Sequence, residues 1–210
     1  MNIFFDLDGT LIESHPGIFE ALEHTFSEMK IDYSNIDFMT LIGPPLYEGF
    51  SWYMEKERVN DAIKIFSKYY SEQKMMLNVS LFDGVEKMLR ELSKENEIIL
   101  STSKSHKLAV EILESLDIYK YFDHIQGAIR EKNLSDKDDI VKKIIDDLNI
   151  KKAMIVGDRF YDIEAGKKFN FICVGALYGY GNKKELEEYE SDFLIEKPTD
   201  LIKIVEDLNE

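Results

Sequence analysis

Apolar residues recur along this chain in two rhythms. Short unbroken runs, such as Ile3-Phe4-Phe5, Ile98-Ile99-Leu100, Met154-Ile155-Val156 and Phe171-Ile172-Cys173-Val174, have the length and composition of strands buried on both faces. Phe193-Leu194-Ile195 is a last run of this kind, and His124-Ile125-Gln126 marks a short strand. Elsewhere apolar positions recur at three- and four-residue spacing, which predicts helices over 85–92, 108–116, 140–148, 163–169, 185–189 and 201–208. From Leu81 onward the two patterns alternate. Alternating strands and helices predict an α/β fold, a Rossmann-like parallel sheet flanked by helices on both faces.

The stretch between the first strand and Leu81 reads differently. Pro16 can open a helix, and Ile18, Leu22, Phe26 and Met29 follow at helical spacing. Gly43-Pro44-Pro45 interrupts it, and helical periodicity resumes over 50–70, with Tyr53, Ile63, Phe66 and Tyr70 as core candidates. No strand is expected between about 13 and 78. The expectation is an α/β core formed by 1–13 and 80–210, with an all-helical subdomain, 14–79, inserted into it. Neither an internal repeat nor a low-complexity segment is visible.

Composition narrows the function. The chain has 210 residues, 44% of them hydrophobic, enough to bury a core. Its formal charge is −15, which argues against a nucleic-acid polymer as partner and means that an anionic substrate needs a cation beside it. The single cysteine, Cys173, lies inside an apolar run and reads as a small buried hydrophobe. No apolar run approaches the ~20 residues of a membrane span, and the N-terminus lacks a signal-peptide pattern. A cytoplasmic protein without a membrane partner is expected, as monomer or homodimer.

The polar residues gather where the apolar runs stop. The first run ends in Asp6-Leu7-Asp8-Gly9-Thr10, a second in Ser101-Thr102-Ser103-Lys104, a third in Gly157-Asp158-Arg159-Phe160-Tyr161-Asp162. In a parallel sheet the carboxyl ends of the strands share one edge, so these groups can converge. A hydroxyl and free N–H groups at a helix start can hold a phosphate. A helix N-cap uses the same residue types, and from this string alone it is the better reading. Aspartates beside one another at strand ends suit Mg²⁺, which takes a few carboxylates and several waters. Lys137, in Leu134-Ser135-Asp136-Lys137-Asp138, can offset carboxylate repulsion, with Lys132 a rival and a solvated lysine the plainer alternative.

Taken in order, these segments resemble the four motifs of the haloacid dehalogenase superfamily of phosphohydrolases. Phe5-Asp6-Leu7-Asp8-Gly9-Thr10 resembles the first, Thr102 the second, Lys137 the third and Gly157-Asp158-x-x-x-Asp162 the fourth. The insertion resembles the mobile cap of the subfamily that includes phosphoglycolate phosphatase and β-phosphoglucomutase. Leu41-Ile42-Gly43-Pro44-Pro45-Leu46, Thr102-Ser103-Lys104 and Tyr178-Gly179-Tyr180-Gly181 point to the phosphoglycolate-phosphatase-like branch, some of whose members are described as 5′-nucleotidase-like. Leu81-Phe82-Asp83-Gly84-Val85 departs from it, since relatives commonly carry Tyr-Pro-Gly there.

The resemblance implies a Mg²⁺-dependent phosphomonoester hydrolase. Asp6 would attack phosphorus and become an aspartyl phosphate, and Asp8 would protonate the leaving alcohol and later deprotonate water. Thr102 and Lys137 complete the implied catalytic set. Thr102, Ser103, Lys137 and, on the cap, Gly43 are the implied substrate-binding positions. Asp6, Asp8 (through its backbone carbonyl), Asp158 and Asp162 are the implied metal positions. A second aspartate favours phosphate chemistry over dehalogenation, and it leaves a phosphomutase or a non-enzymatic regulatory module as alternatives. The expected substrate is a small phosphorylated metabolite, phosphoglycolate or a nucleoside monophosphate. The loop 42–46 has no arginine or lysine, which counts against a second anionic group on the substrate. Phe50, Trp52 and Tyr53 could stack on a base or simply pack the cap.

Overall fold

The computed structural model describes residues 1–73, 78–129 and 134–209. The chain opens with β1 (Asn2–Phe5), β2 (Ile12–Glu13), α1 (His15–Glu28), α2 (Leu46–Ser51), α3 (Lys56–Glu72) and β3 (Ser80–Leu81). There follow α4 (Val85–Leu92), β4 (Glu97–Ser105), α5 (His106–Ser115), β5 (His124–Ala128), α6 (Lys137–Leu148), β6 (Ala153–Gly157) and α7 (Phe160–Lys168). The chain ends with β7 (Ile172–Ala176), α8 (Lys183–Glu188), β8 (Phe193–Ile195) and α9 (Asp200–Asn209). It divides into two compact units, Met1–Glu13 with Leu81–Glu210, and Ser14–Ser80.

The first unit is built on six parallel strands in the order β5-β4-β1-β6-β7-β8. β1 lies in the interior of the sheet, and Ile3, Phe4 and Phe5 are wholly buried. Each such side chain contributes roughly 1.5–3 kcal/mol, and burial on both faces explains why the run does not alternate. α6 packs on β4 and on α7, and α7 on β6 and β7. Phe4, Ile99, Ile140, Ile155 and Phe171 are among the residues of the core they share. Cys173 belongs to the same core, and burial pushes its thiol up to about 12. Among the described residues no helix is long and apolar enough to cross a membrane.

The second unit has its own aromatic core. α1 turns Ala21, Leu22, Thr25 and Phe26 inward, a spacing that makes one face. Phe26 stacks on Phe38 at 5.8 Å and meets Phe50 edge-on at 5.8 Å. Phe66 also meets Phe50 edge-on, at 6.1 Å.

Some boundaries differ from the sequence expectation. The helix expected over 50–70 is two helices, because 52–55 leave the helical conformation between α2 and α3. Trp52 and Tyr53 donate their N–H groups to Gly49 and Phe50, a tighter three-residue spacing that ends α2, and Glu55 is extended before α3 begins. β4 runs on to Ser105, because polar residues beyond Leu100 still pair with β5. The two-residue strands β2 and β3, which form a separate sheet, carry no periodicity and were not foreseen.

Candidate active site

The sheet register sets the site. Phe5 lies opposite Leu100 on β4 and Val156 on β6. The next residues, Asp6, Ser101-Thr102 on β4 and Gly157-Asp158 at the end of β6, therefore lie at one level along the sheet. The Asp6 N–H still donates to the Val156 carbonyl at 3.0 Å, so its backbone is held by the sheet. Beyond it the chain curls tightly: the Leu7 carbonyl accepts from Leu11 at 2.9 Å and Ile12 at 3.0 Å. Gly9, with φ +86°, completes the turn. A Cβ there would lie 2.3 Å from Asp158 Oδ2, so only glycine lets the turn approach that carboxylate.

Asp158 is fully buried. Its Oδ1 accepts from the Thr10 hydroxyl at 3.0 Å and its Oδ2 from the Tyr180 N–H at 2.8 Å. Asp162 sits in the first turn of α7, also buried. Carboxylate oxygens of Asp6, Asp158 and Asp162 lie within 4.8 Å of one another. Lys137, the first residue of α6, reaches into this group. Its Nζ is 2.5 Å from Asp6 Oδ1, 2.7 Å from Asp162 Oδ1 and 2.8 Å from the Ser101 carbonyl. Thr102 is buried, and its Oγ1 accepts from the Lys104 N–H at 3.2 Å. Asp8 points elsewhere: its Oδ1 pairs with Lys104 Nζ at 3.1 Å, in a pair whose side chains are only 9% and 13% exposed.

The cluster is electrostatically unbalanced. Burial pushes the Asp6 carboxyl up to about 7, against the Lys137 ammonium, with Asp162 adding to the rise. Burial, with Asp6 and Asp162 as like-charged neighbours, pushes Asp158 up to about 8. Lys137 moves upward too: burial works against its charge, and the attraction of Asp162 and Asp6 outweighs it. Once all are ionised, four carboxylates (Asp6, Asp8, Asp158, Asp162) outnumber two ammoniums (Lys104, Lys137) by two charges, and the raised values of Asp6 and Asp158 show that a proton otherwise takes up part of that excess. Arg159 pairs with Glu185 at 2.9 Å and is the least of the influences on Asp158, which it lowers. Hard oxygen donors with an excess of two negative charges fit a divalent cation of the Mg²⁺ kind.

A sequence profile of the haloacid dehalogenase-like hydrolases matches residues 3–176. The chain belongs to this family. A pyrophosphatase named PpaX from Listeria monocytogenes is 28% identical over 214 residues, covering 98% of this chain and 96% of its own. A 5′-nucleotidase of Pseudomonas aeruginosa is 26% identical over 195 residues, 90% of this chain and 88% of its own. Among solved structures, a predicted phosphatase from Clostridium acetobutylicum superposes with a TM-score of 0.90 at 30% identity, covering 98% of both chains. The protein is a haloacid dehalogenase-family phosphatase, and the Rossmann-like α/β fold expected from its strand pattern is the fold it has.

The structure brings Asp6, Asp158, Asp162 and Lys137 together, with Thr102 at the adjoining strand end. Ser103 follows it, half-buried. Lys132 lies outside the described residues. Gly43 belongs to the second unit, where it has φ +105°. Of the three aromatic residues considered for base stacking, Phe50 is interior to that unit, Tyr53 is half-buried beside Phe26, and Trp52 is 47% exposed. Three contributors were not singled out in the sequence. Thr10 stood within the first motif but drew no role, and Lys104 looked like any lysine near a helix start. Tyr180 acts through its backbone, which no side-chain pattern reports. The alternation Tyr178-Gly179-Tyr180-Gly181 after an apolar strand was the one available signal, and it left open whether the loop lines the site or merely turns.

Proposed function

We propose that the protein hydrolyses a small phosphomonoester in two steps at the Asp6 cluster. The observation that carries this is the Lys137 ammonium held between Asp6 and Asp162 beside buried Asp158. A carboxylate of Asp6 attacks phosphorus; an O–P bond forms, the ester P–O bond breaks, and its electron pair leaves on the alcohol oxygen. Asp8 gives that oxygen a proton. In the second step Asp8 takes a proton from water, water oxygen bonds to phosphorus, and the bond to Asp6 breaks, releasing inorganic phosphate. Lys137 and Thr102 hold the phosphoryl oxygens, with Ser103 at the same strand end. Asp162 orients Lys137. Asp6, Asp158, the backbone carbonyl of Asp8 and, through water, Asp162 would hold Mg²⁺. When bound, the ion neutralises the repulsion between an attacking carboxylate and an anionic phosphate. The unit Ser14–Ser80 serves as the cap, with Gly43 near the substrate, and the enzyme works in the cytoplasm.

The test is hydrolysis of p-nitrophenyl phosphate with Mg²⁺ by the wild type and Asp6→Asn. A loss on the order of a thousandfold or more is expected, and unchanged activity overturns the nucleophile. A panel of phosphoglycolate, nucleoside monophosphates and sugar phosphates names the substrate.

A second substrate reading is favoured by Lys104. The proton carrier stands next to the departing oxygen, so the ammonium paired with Asp8 stands there too. A cation at that place suits an anionic leaving group, as when phosphate leaves pyrophosphate, and the Listeria relative bears the name pyrophosphatase. On this reading Lys104→Met lowers kcat/KM for pyrophosphate far more than for a nucleoside monophosphate. Equal losses would remove the support.

A further inference from the structure

The loop that follows β7 is tied to the site at three places. The Tyr178 hydroxyl donates to the Thr10 carbonyl at 3.0 Å, and the Tyr180 N–H donates to Asp158 Oδ2 at 2.8 Å. Between them, a Cβ on Gly179 would lie 2.2 Å from the Gly9 carbonyl oxygen and 2.3 Å from Asp158 Cβ. The bare glycine thus lets this loop lie directly against both the β1 turn and the aspartate. The Tyr178 ring is braced from outside by Phe82, edge-on at 5.2 Å. The residue is half-buried, and desolvation of its hydroxyl, with Asp158 and Asp200 nearby, holds it well above the usual phenol range, so it remains a donor.

These contacts form a closed circuit. Tyr178 fixes the Thr10 backbone, Thr10 donates its side-chain hydroxyl to Asp158 Oδ1, and the chain two residues beyond Tyr178 donates to Oδ2. Each carboxylate oxygen therefore has one donor and keeps lone-pair capacity toward Asp6. We infer that Tyr178 is a positioning residue: through Thr10 and its own loop it sets the plane of the Asp158 carboxylate for the divalent cation. This rests on the reading of Asp6, Asp158 and Asp162 as the cation's ligands. Groups that orient ligands are felt in metal affinity even though they never touch the ion.

The experiment titrates metal-free protein with Mg²⁺ alone by calorimetry, for the wild type, Tyr178→Phe and Asp158→Asn, with melting of each in EDTA. Tyr178→Phe keeps the ring and its contact with Phe82 and removes only the hydroxyl. The inference predicts Mg²⁺ affinity about tenfold to a hundredfold weaker in Tyr178→Phe, with a metal-free melting temperature close to that of the wild type. Asp158→Asn should lose the binding. If Tyr178→Phe binds Mg²⁺ as the wild type does while Asp158→Asn does not, the positioning role is wrong and the ligand reading stands. If Asp158→Asn binds like the wild type, or the wild type does not bind, the ligand reading falls and takes this inference with it. A Tyr178→Phe protein that melts many degrees lower in EDTA as well would make the hydroxyl a general structural bond, also against the inference. Gly179→Ala, which presses a methyl toward Asp158, should weaken binding in the same direction.

Discussion

Replacing Lys137 with methionine separates what the ammonium does for the fold from what it does for the chemistry. Methionine keeps most of the side-chain volume and removes the charge. In the wild type that charge lies 2.5 Å from Asp6 and 2.7 Å from Asp162, and it also serves the Ser101 carbonyl at 2.8 Å. Taking one partner from a buried ion pair costs about 3–5 kcal/mol, because the remaining charge stays buried without compensation. For a chain of this size each kcal/mol moves the melting temperature by about 2–4 °C. Melting of Lys137→Met in EDTA should therefore fall by roughly 6–20 °C. With its carboxylates ionised, the cluster's excess negative charge rises at the same time from two to three, so added Mg²⁺ should recover more stability in the variant than in the wild type. Phosphatase activity should nevertheless stay low with Mg²⁺ present, because the phosphoryl group loses a partner that the ion does not replace. The assay is thermal unfolding followed by circular dichroism, with and without Mg²⁺, beside hydrolysis of p-nitrophenyl phosphate. A fall below about 2 °C in EDTA, against the expected cost, would show that Lys137 is not the counter-ion of this cluster. A smaller Mg²⁺ response in the variant would refute the charge balance.

Other outcomes follow from the same structure. The folded-state values of Asp6 and Asp158 are raised, to about 7 and about 8, from an ordinary 3.8. Their contribution to metal-free stability is thus full below about 3.8 and is lost as pH rises through about 7 and 8. Asp8, Asp162, Lys104 and Lys137 face the same cluster; melting in EDTA should fall across that window and Mg²⁺ should flatten the fall, whereas a metal-free rise would contradict it. Asp158→Asn removes one of the repelling charges and can keep both partners, since the Thr10 hydroxyl can turn to accept; its metal-free form should melt above the wild type at pH 8, and a lower value would count against the repulsion. Phe50→Ala empties a site packed by Phe26 and Phe66 and should cost about 3–5 kcal/mol in denaturant unfolding; a cost under about 1 kcal/mol would mean the unit repacks. Cys173, buried and with its thiol pushed up to about 12, should resist a disulfide reagent until the protein is unfolded; rapid native labelling would deny its burial.

What could be read from the sequence depended on the range of the interaction. The runs ending at Phe5, Leu100 and Val156 announced buried strands, and parallel pairing then brought Asp6, Thr102 and Asp158 to one edge. Polar strand residues were invisible to the same criterion, so the part of β4 that pairs Ser105 with Ala128 was missed. The break at 52–55 was hidden because Trp52 and Tyr53 extend the apolar rhythm through a segment that has stopped being helical. Lys137 was assigned through the family resemblance, since a lysine at a helix start is ordinarily solvated. Lys104 stood in a string of that resemblance, Thr102-Ser103-Lys104, which gave it no role of its own. Its pairing with Asp8 depends on how the turn after β1 faces the far end of β4, which neither periodicity nor spacing encodes. Thr10 and Tyr180 were missed for the same reason: their partner, Asp158, becomes a neighbour only when β1, β6 and β7 stand side by side.

The cluster also shows why a rigid sheet is the right support for this chemistry. Buried carboxylates that repel one another push apart unless their backbones are fixed. Asp6 remains hydrogen-bonded to Val156 of the neighbouring strand, and Asp158 follows directly on that same strand. Neither can retreat without breaking the ladder that buries Phe4, Phe5, Ile155 and Val156. The apolar core thus holds in place a charge arrangement that would not assemble by itself; burial first, and then the like-charged neighbours, raise Asp6 and Asp158 there. On the proposed mechanism a divalent cation would offset that charge, and a bound phosphate would restore negative charge for Lys137 and Lys104 to meet. Removing one of these carboxylates, as in Asp158→Asn, should on that mechanism both stabilise the metal-free protein and silence it.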